Sequence, residues 1–84
     1  MITDVAIKYR GKIYSLPAPN RHHHVIHKIA QETGKDVGSN EQGFLDELGY
    51  FLDREMALRH AIVNNQVKDI SKVRYSMLFS EDLW

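Results

Sequence analysis

The run Asn20-Arg21-His22-His23-His24 is where chemistry concentrates in this sequence. Asn20 follows Pro17-Ala18-Pro19 and is a good N-cap, so it is expected to open a helix running to about Thr33, with Gly34 just past its end. The unpaired N–H groups of a helix's first turn carry partial positive charge and favour anions. An arginine and imidazoles in the same turn add donors, and charge when protonated. The pattern suits recognition of a phosphate or carboxylate by Asn20, Arg21, His22 and His23. The plainer reading is that Asn20 only caps, His22 enters the core and the other imidazoles are solvated.

Other chemistries need residues from elsewhere. His23 and His27 have the i, i+4 spacing that lets two imidazoles meet one ion, but a third ligand would have to come from His60, Glu81 or Asp82. No Glu follows His23, so the zinc-protease signature is absent and no metal or cofactor is expected. If the two helices pack side by side, His23 and His60 could serve as acid and base in a phosphodiesterase or nuclease. No triad spacing, Gly-rich phosphate loop or nucleophile elbow accompanies them. Trp84, the sole tryptophan, ends the chain. Leaving Leu83 and Trp84 on a loose tail would expose a large apolar surface, so the tail is expected to dock, on its own domain or in a partner. Glu81 and Asp82 would then meet Arg21, Arg54 or Arg59. Arg54, in the first turn of its helix, opposes the macrodipole and points to a carboxylate or ligand partner.

These residues must be positioned by a small set of elements. Residues 4–16 read as a β-hairpin turning at Arg10-Gly11, which pairs Tyr9 with Lys12, Ile7 with Tyr14 and Val5 with Leu16 on one face. Lys8 and Ile13 pair on the other. In the helix that follows, Val25, Ile26, Ile29 and Ala30 form an apolar arc that contains His22. His23 and His27 lie on the edge of that arc, and His24 points to solvent. Lys35 to Glu41 reads as a loop. Residues 42–52 repeat the hairpin around Asp46-Glu47-Leu48-Gly49, and Asp53 caps a helix from Arg54 to about Asn65. Setting Arg54 on Arg21 sets His60 on His27 and Ile62 on Ile29, which suggests a ββα pseudo-repeat. Residues 66–74 are a charged connection, and Tyr75 to Phe79 are expected to form a last short strand. The expected fold is α+β: two hairpins in one antiparallel sheet, with two helices on one face. The aromatic residues spread over the strands suit a sheet core better than a base-stacking platform, since the ribonucleoprotein motif is absent.

Composition narrows the class. With 84 residues, 43% hydrophobic and 26% charged, the chain 1–84 reads as one globular domain. A domain of this size buries only roughly 60% of its unfolded surface, so its core is thin. Eleven Lys and Arg balance eleven Asp and Glu, which argues against non-specific nucleic-acid binding. No apolar run approaches a membrane span, no signal peptide is expected, and the absence of cysteine excludes disulfides and thiol chemistry.

His22-His23-His24-Val25-Ile26, Gln42-Gly43-Phe44-Leu45, Gly49-Tyr50-Phe51-Leu52-Asp53-Arg54, His60-Ala61, Gln66 and the ending Leu78-Phe79-Ser80-Glu81-Asp82-Leu83-Trp84 resemble a family of small proteins of tailed bacteriophages and prophages. Asn65 departs from the glycine expected before Gln66. The resemblance implies a phage accessory protein acting in the cytoplasm of the bacterial host. The residues themselves suggest a binding protein rather than a catalyst. Its expected ligand is a phosphorylated small molecule, such as a nucleotide or a host defence signal, held by Asn20, Arg21, His22 and His23. Arg54, His60, Glu81, Asp82 and Trp84 would form the opposite wall. The alternatives are an inhibitor of a host enzyme acting by protein–protein contact, and the histidine-dependent phosphodiesterase or nuclease. A thin core with exposed strand edges would also gain burial by forming a homo-oligomer.

Overall fold

Alternating apolar residues at Val5, Ile7 and Tyr9 face Leu16, Tyr14 and Lys12 across the first hairpin, β1 (Ile2–Tyr9) and β2 (Lys12–Pro17). This is the expected register. Arg10 and Gly11 both have positive φ, 52° and 76°, as a two-residue turn matched to strand twist requires. The computed structural model describes residues 1–35, 41–74 and 76–84. Helix α1 (His22–Thr33) is followed by β3 (Glu41–Asp46), β4 (Phe51–Asp53) and α2 (Arg54–Val63). Short 3-10 turns at Ile70–Lys72 and Ser80–Asp82 lie in the chain beyond.

The strands form one antiparallel sheet in the order β2-β1-β3-β4. Helix α1 packs on β1 and β2, and α2 on β3 and β4. Both contribute to one core: Val25 and Ile29 from α1, Ala57, Leu58 and Ala61 from α2, and Val5, Ile7, Tyr9, Tyr14 and Phe44 from the sheet. The helices therefore share one face, and the fold is α+β. The outer edge of β2 is blunted, because the Lys28 ammonium donates to the Ser15 carbonyl at 3.3 Å and Pro17 has no N–H to offer. On the face away from the helices the Phe51 ring lies over Gly43, so tightly that a Cβ at Gly43 would collide with that ring and with the Leu52 carbonyl. The Lys8 ammonium sits 4.8 Å from the centre of the same ring.

Several expectations need correction. The first helix begins at His22, and its N-cap is Arg21 rather than Asn20. The Asn20 side chain turns back to donate to the Pro17 carbonyl at 2.8 Å. Arg21 offers no capping oxygen, so the His24 ring takes over part of the task and accepts from the Arg21 N–H at 2.8 Å. The second helix ends at Val63, and Asn65 adopts the left-handed conformation, φ 54°, that a glycine would have taken. There Asn65 N–H donates to the Ile62 carbonyl and Gln66 N–H to the Ala61 carbonyl, closing the helix end. In place of a final strand there is a single bridge between Arg74 and Met77; Tyr75 lies outside the described residues, as does most of the loop between Lys35 and Glu41.

The two halves do repeat as ββα units, but shifted by one residue from the expected match. Aligning the N-caps Arg21 and Asp53 places His22 with Arg54, Val25 with Ala57, Ile26 with Leu58 and Ile29 with Ala61. Ile29 is fully buried whereas Ile62 is 45% exposed, which the expected match of those two would not allow. One residue turns a helix by about 100°, so burial, not the matching arginines, identifies the equivalent faces.

Candidate functional site

The repeat brings both helix starts to the middle of the sheet. His22, at the first position of α1, donates from Nε2 to the Gly43 carbonyl at 2.8 Å, and its ring meets Phe44 edge-on at 5.0 Å. The imidazole is only 8% exposed. Burial lowers its pKa from 6.5 to about 4; the Gly43 hydrogen bond opposes that shift, and the nearby Arg54 charge adds to it. His22 is thus a neutral core group above mildly acidic pH.

Arg54, at the equivalent position of α2, donates to the Gln42 amide oxygen and, at 2.6 Å, to the Leu78 carbonyl. Its guanidinium carbon also lies 4.4 Å from the centre of the Phe79 ring. Burial lowers its pKa below the ordinary value, and Glu81 and Asp82 counteract this. The cation poorly placed for the macrodipole therefore does have a partner, but a backbone carbonyl and an amide rather than a carboxylate.

The chain end fills the space between the two helix starts. Leu78 is fully buried, Ser80 and Leu83 are nearly so, and Trp84 packs against the core. Trp84 Nε1 donates to the Asn20 carbonyl at 2.8 Å. The Arg54 carbonyl accepts from Leu78 N–H, and the Asp82 carbonyl accepts from Lys68 N–H. Asp82 turns its carboxylate inward, accepting from Phe79 N–H at 2.9 Å to cap its own 3-10 turn. Glu81 approaches Arg21 at 3.7 Å, a separation too long for a direct hydrogen bond, and the Arg21 Nη1 atom is buried without a hydrogen-bond partner. At this separation, with the Glu81 side chain 68% exposed, the pair contributes little.

The structure thus gathers Asn20, Arg21, His22, Arg54, Glu81, Asp82 and Trp84 in one region and leaves out the other histidines. His23 is exposed and stacks obliquely on His24, with ring centres 4.0 Å apart. His27 is also exposed. His60 lies near the Ile2 end of the sheet, 3.1 Å from the Met1 amino nitrogen, which also contacts Glu47 at 2.6 Å. Ile2 pairs with Asp46 there, whereas Gly43 pairs with Ala6. Four strand residues, about 13 Å, separate these levels of the sheet. Among the described residues no three His, Asp or Glu side chains are grouped to hold a metal ion.

Sequence reasoning missed Gln42, Gly43 and the Leu78 carbonyl, the groups that receive Arg54 and His22. Two of these partners are backbone oxygens, which carry no residue-type signal. It also missed Gln66, whose amide pairs with the Ile2 N–H and carbonyl at 2.6 and 2.9 Å and fixes the start of β1.

The fold and this region define a two-layer ββαββα domain whose own terminus closes the gap between its helix starts. The chain belongs to the phage T4 y16D protein family, whose model matches residues 1–84. No curated protein and no solved structure matches it. No described helix is long and apolar enough to cross a membrane.

Proposed function

We propose that this phage protein acts by binding a host protein in the bacterial cytoplasm, through the outer side of α2. The observation that carries this reading is a groove of mixed lining, with exposed apolar side chains at its centre, between α2 and the chain that follows it. Two cavities of about 290 and 410 Å³ share Ile62. Leu58, Val67 and Ile70 line them with it. Ile70 is 59% exposed and the neighbouring Val63 82%. The rim carries Glu55, Arg59, Lys68 and Asp69, two charges of each sign. A polyanion or an anionic membrane would favour an excess of cations, whereas an apolar centre with a mixed rim fits a protein partner. A standard interface needs roughly 800 Å² per partner, less than a sixth of this domain's 5291 Å².

The paired variants Ile62→Asp and Ile70→Asp should keep the circular dichroism of the parent and lose a host protein that co-purifies with it. Ile13→Asp, on the sheet face away from the helices, should retain that protein. Equal retention by the groove variants overturns the reading.

The phosphorylated-ligand reading at Asn20, Arg21, His22 and His23 has support in the local charge, but it requires residues 78–84 to leave. Trp84 Nε1–H reports this directly. A nucleotide that displaces the tail would move the indole N–H resonance to its free position. The phosphodiesterase or nuclease reading has the least support, since His23 and His60 face different parts of the molecule.

A further inference from the structure

The neutral composition hides a separation of charge between the two halves. Residues 1–35 hold six Lys and Arg against two Asp and Glu, while residues 41–84 hold five against eight. The surplus of the first half is concentrated at the tip of the β1–β2 hairpin. A concavity of about 280 Å³ there is lined, among the described residues, by Tyr9, Arg10, Lys12, Tyr14, Thr33 and Lys35, three cations and no carboxylate. We propose that this concavity is a binding site for a small phosphate monoester.

Four features support the assignment. The floor is rigid, because Tyr9 and Tyr14 are 7% and 9% exposed and belong to the core. The cations are held over it: the Lys12 ammonium lies 4.8 Å from the Tyr14 ring centre, and the Arg10 guanidinium carbon 5.4 Å from that of Tyr9. None of Arg10, Lys12 and Lys35 forms an ion pair among the described residues. Finally, Arg10 occupies a turn position with φ 52°, where Asn, Asp or Gly is favoured. A residue that breaks a local rule without structural gain is where function is expected.

The competing explanation is that these cations neutralise the C-terminus of α1, which ends beside them. A helix terminus carries about half an elementary charge, too little to balance three cations. The volume lies just below the roughly 300–1,000 Å³ of sites for drug-sized ligands, so it accommodates a phosphate end group rather than a whole polynucleotide segment. With both tyrosines buried, no exposed ring is available for base stacking, which also disfavours single-stranded nucleic acid.

The test is an NMR titration of the full chain with inorganic phosphate and with glycerol 3-phosphate, against sodium chloride at equal ionic strength. The expected result is saturable shifts of the Arg10, Lys12 and Lys35 amides with both phosphates and not with chloride. Lys12→Gln and Lys35→Gln should each weaken binding about tenfold or more, as loss of a charge-assisted hydrogen bond does. Arg10→Asn separates binding from folding, because it should weaken phosphate binding while raising the melting temperature. Lys72→Gln, at an exposed position in the other half, should change neither. Equal shifts with chloride, shifts that map to the start of α1, or an unchanged affinity in the three variants would overturn the proposal. Tighter binding of a single-stranded oligonucleotide than of glycerol 3-phosphate would overturn it as well.

Discussion

His22 and Arg54 occupy equivalent first positions of their helices, yet one is a neutral imidazole sealed on a sheet carbonyl and the other a guanidinium served by the chain end. The first half is nearly self-sufficient, with strands of eight and six residues and a twelve-residue helix. The second has an outer strand of three residues, which runs directly into a ten-residue helix. At its helix start Arg54 rests on the Leu78 carbonyl and the Phe79 ring, so the chain end completes it. A repeated unit thus need not repeat its stabilisation: the second has the shorter strands and relies on residues that have no counterpart in the first.

The sharpest way to break this comparison is to remove the chain end. Deleting Leu83 and Trp84 takes away one core leucine and the indole bonded to Asn20. Each large-to-small core change costs about 2–5 kcal/mol, so the deletion should cost about 4 kcal/mol or more. That approaches the whole stability of a small domain. Circular dichroism and urea unfolding should show a largely unfolded chain at 37 °C. A folded protein of unchanged midpoint would mean that the second half closes without its tail.

The two first positions also differ in how they respond to pH. The pKa of His22 is depressed when folded, so the unfolded chain takes up the proton first as pH falls. Stability is therefore full above about pH 6.5 and is lost as pH drops toward about 4. A shift of this size corresponds to about 3 kcal/mol. Melting temperatures measured between pH 7 and 4 should fall steeply for the parent. They should fall much less for His22→Gln, which keeps an N–H for the Gly43 carbonyl but does not titrate in this range. Arg54 stays charged throughout, so Arg54→Met should lower stability at every pH, by about 2 kcal/mol, through the unpaired Leu78 carbonyl and Gln42 amide. It should also raise the apparent pKa of His22, because the Arg54 charge is one of the causes holding it down.

Much of the architecture was legible from residue types because it rests on local rules. Val5, Ile7, Tyr14 and Leu16 alternate, Arg10-Gly11 leaves only one two-residue turn, and Asp53 is a strong cap, so the first hairpin and the second helix start followed directly. The helix start at Asn20 was misplaced because Asn20 is the better capping residue, while the actual cap, Arg21, has no acceptor and depends on His24. The convergence at the candidate site was less legible. Arg54 was expected to meet Glu81 or Asp82 and meets the Leu78 carbonyl instead, a choice that depends on how the 3-10 turn orients its own carboxylates. His60 was placed opposite the first-helix histidines on the expectation that the two helices pack side by side, whereas its ring lies beside the Met1 amino group.

The smallest expected effects concern the two caps themselves. Asp53 accepts from the Met56 N–H at 2.8 Å, whereas the Arg21 side chain makes no capping hydrogen bond and its charge opposes the α1 dipole. Asp53→Ala should therefore cost about 1 kcal/mol, the usual value of a lost side-chain cap. Arg21→Ser should act in the opposite direction and stabilise by about 0.5–1 kcal/mol. The hydroxyl can accept from the first turn, and the 3.7 Å approach to Glu81 contributes little that would be lost. Urea midpoints at unchanged slope would give both signs in one experiment. If Arg21→Ser instead destabilised the protein, the buried Nη1 atom of Arg21 would be contributing to the contact between α1 and the chain end, and the first half would depend on the tail as the second does.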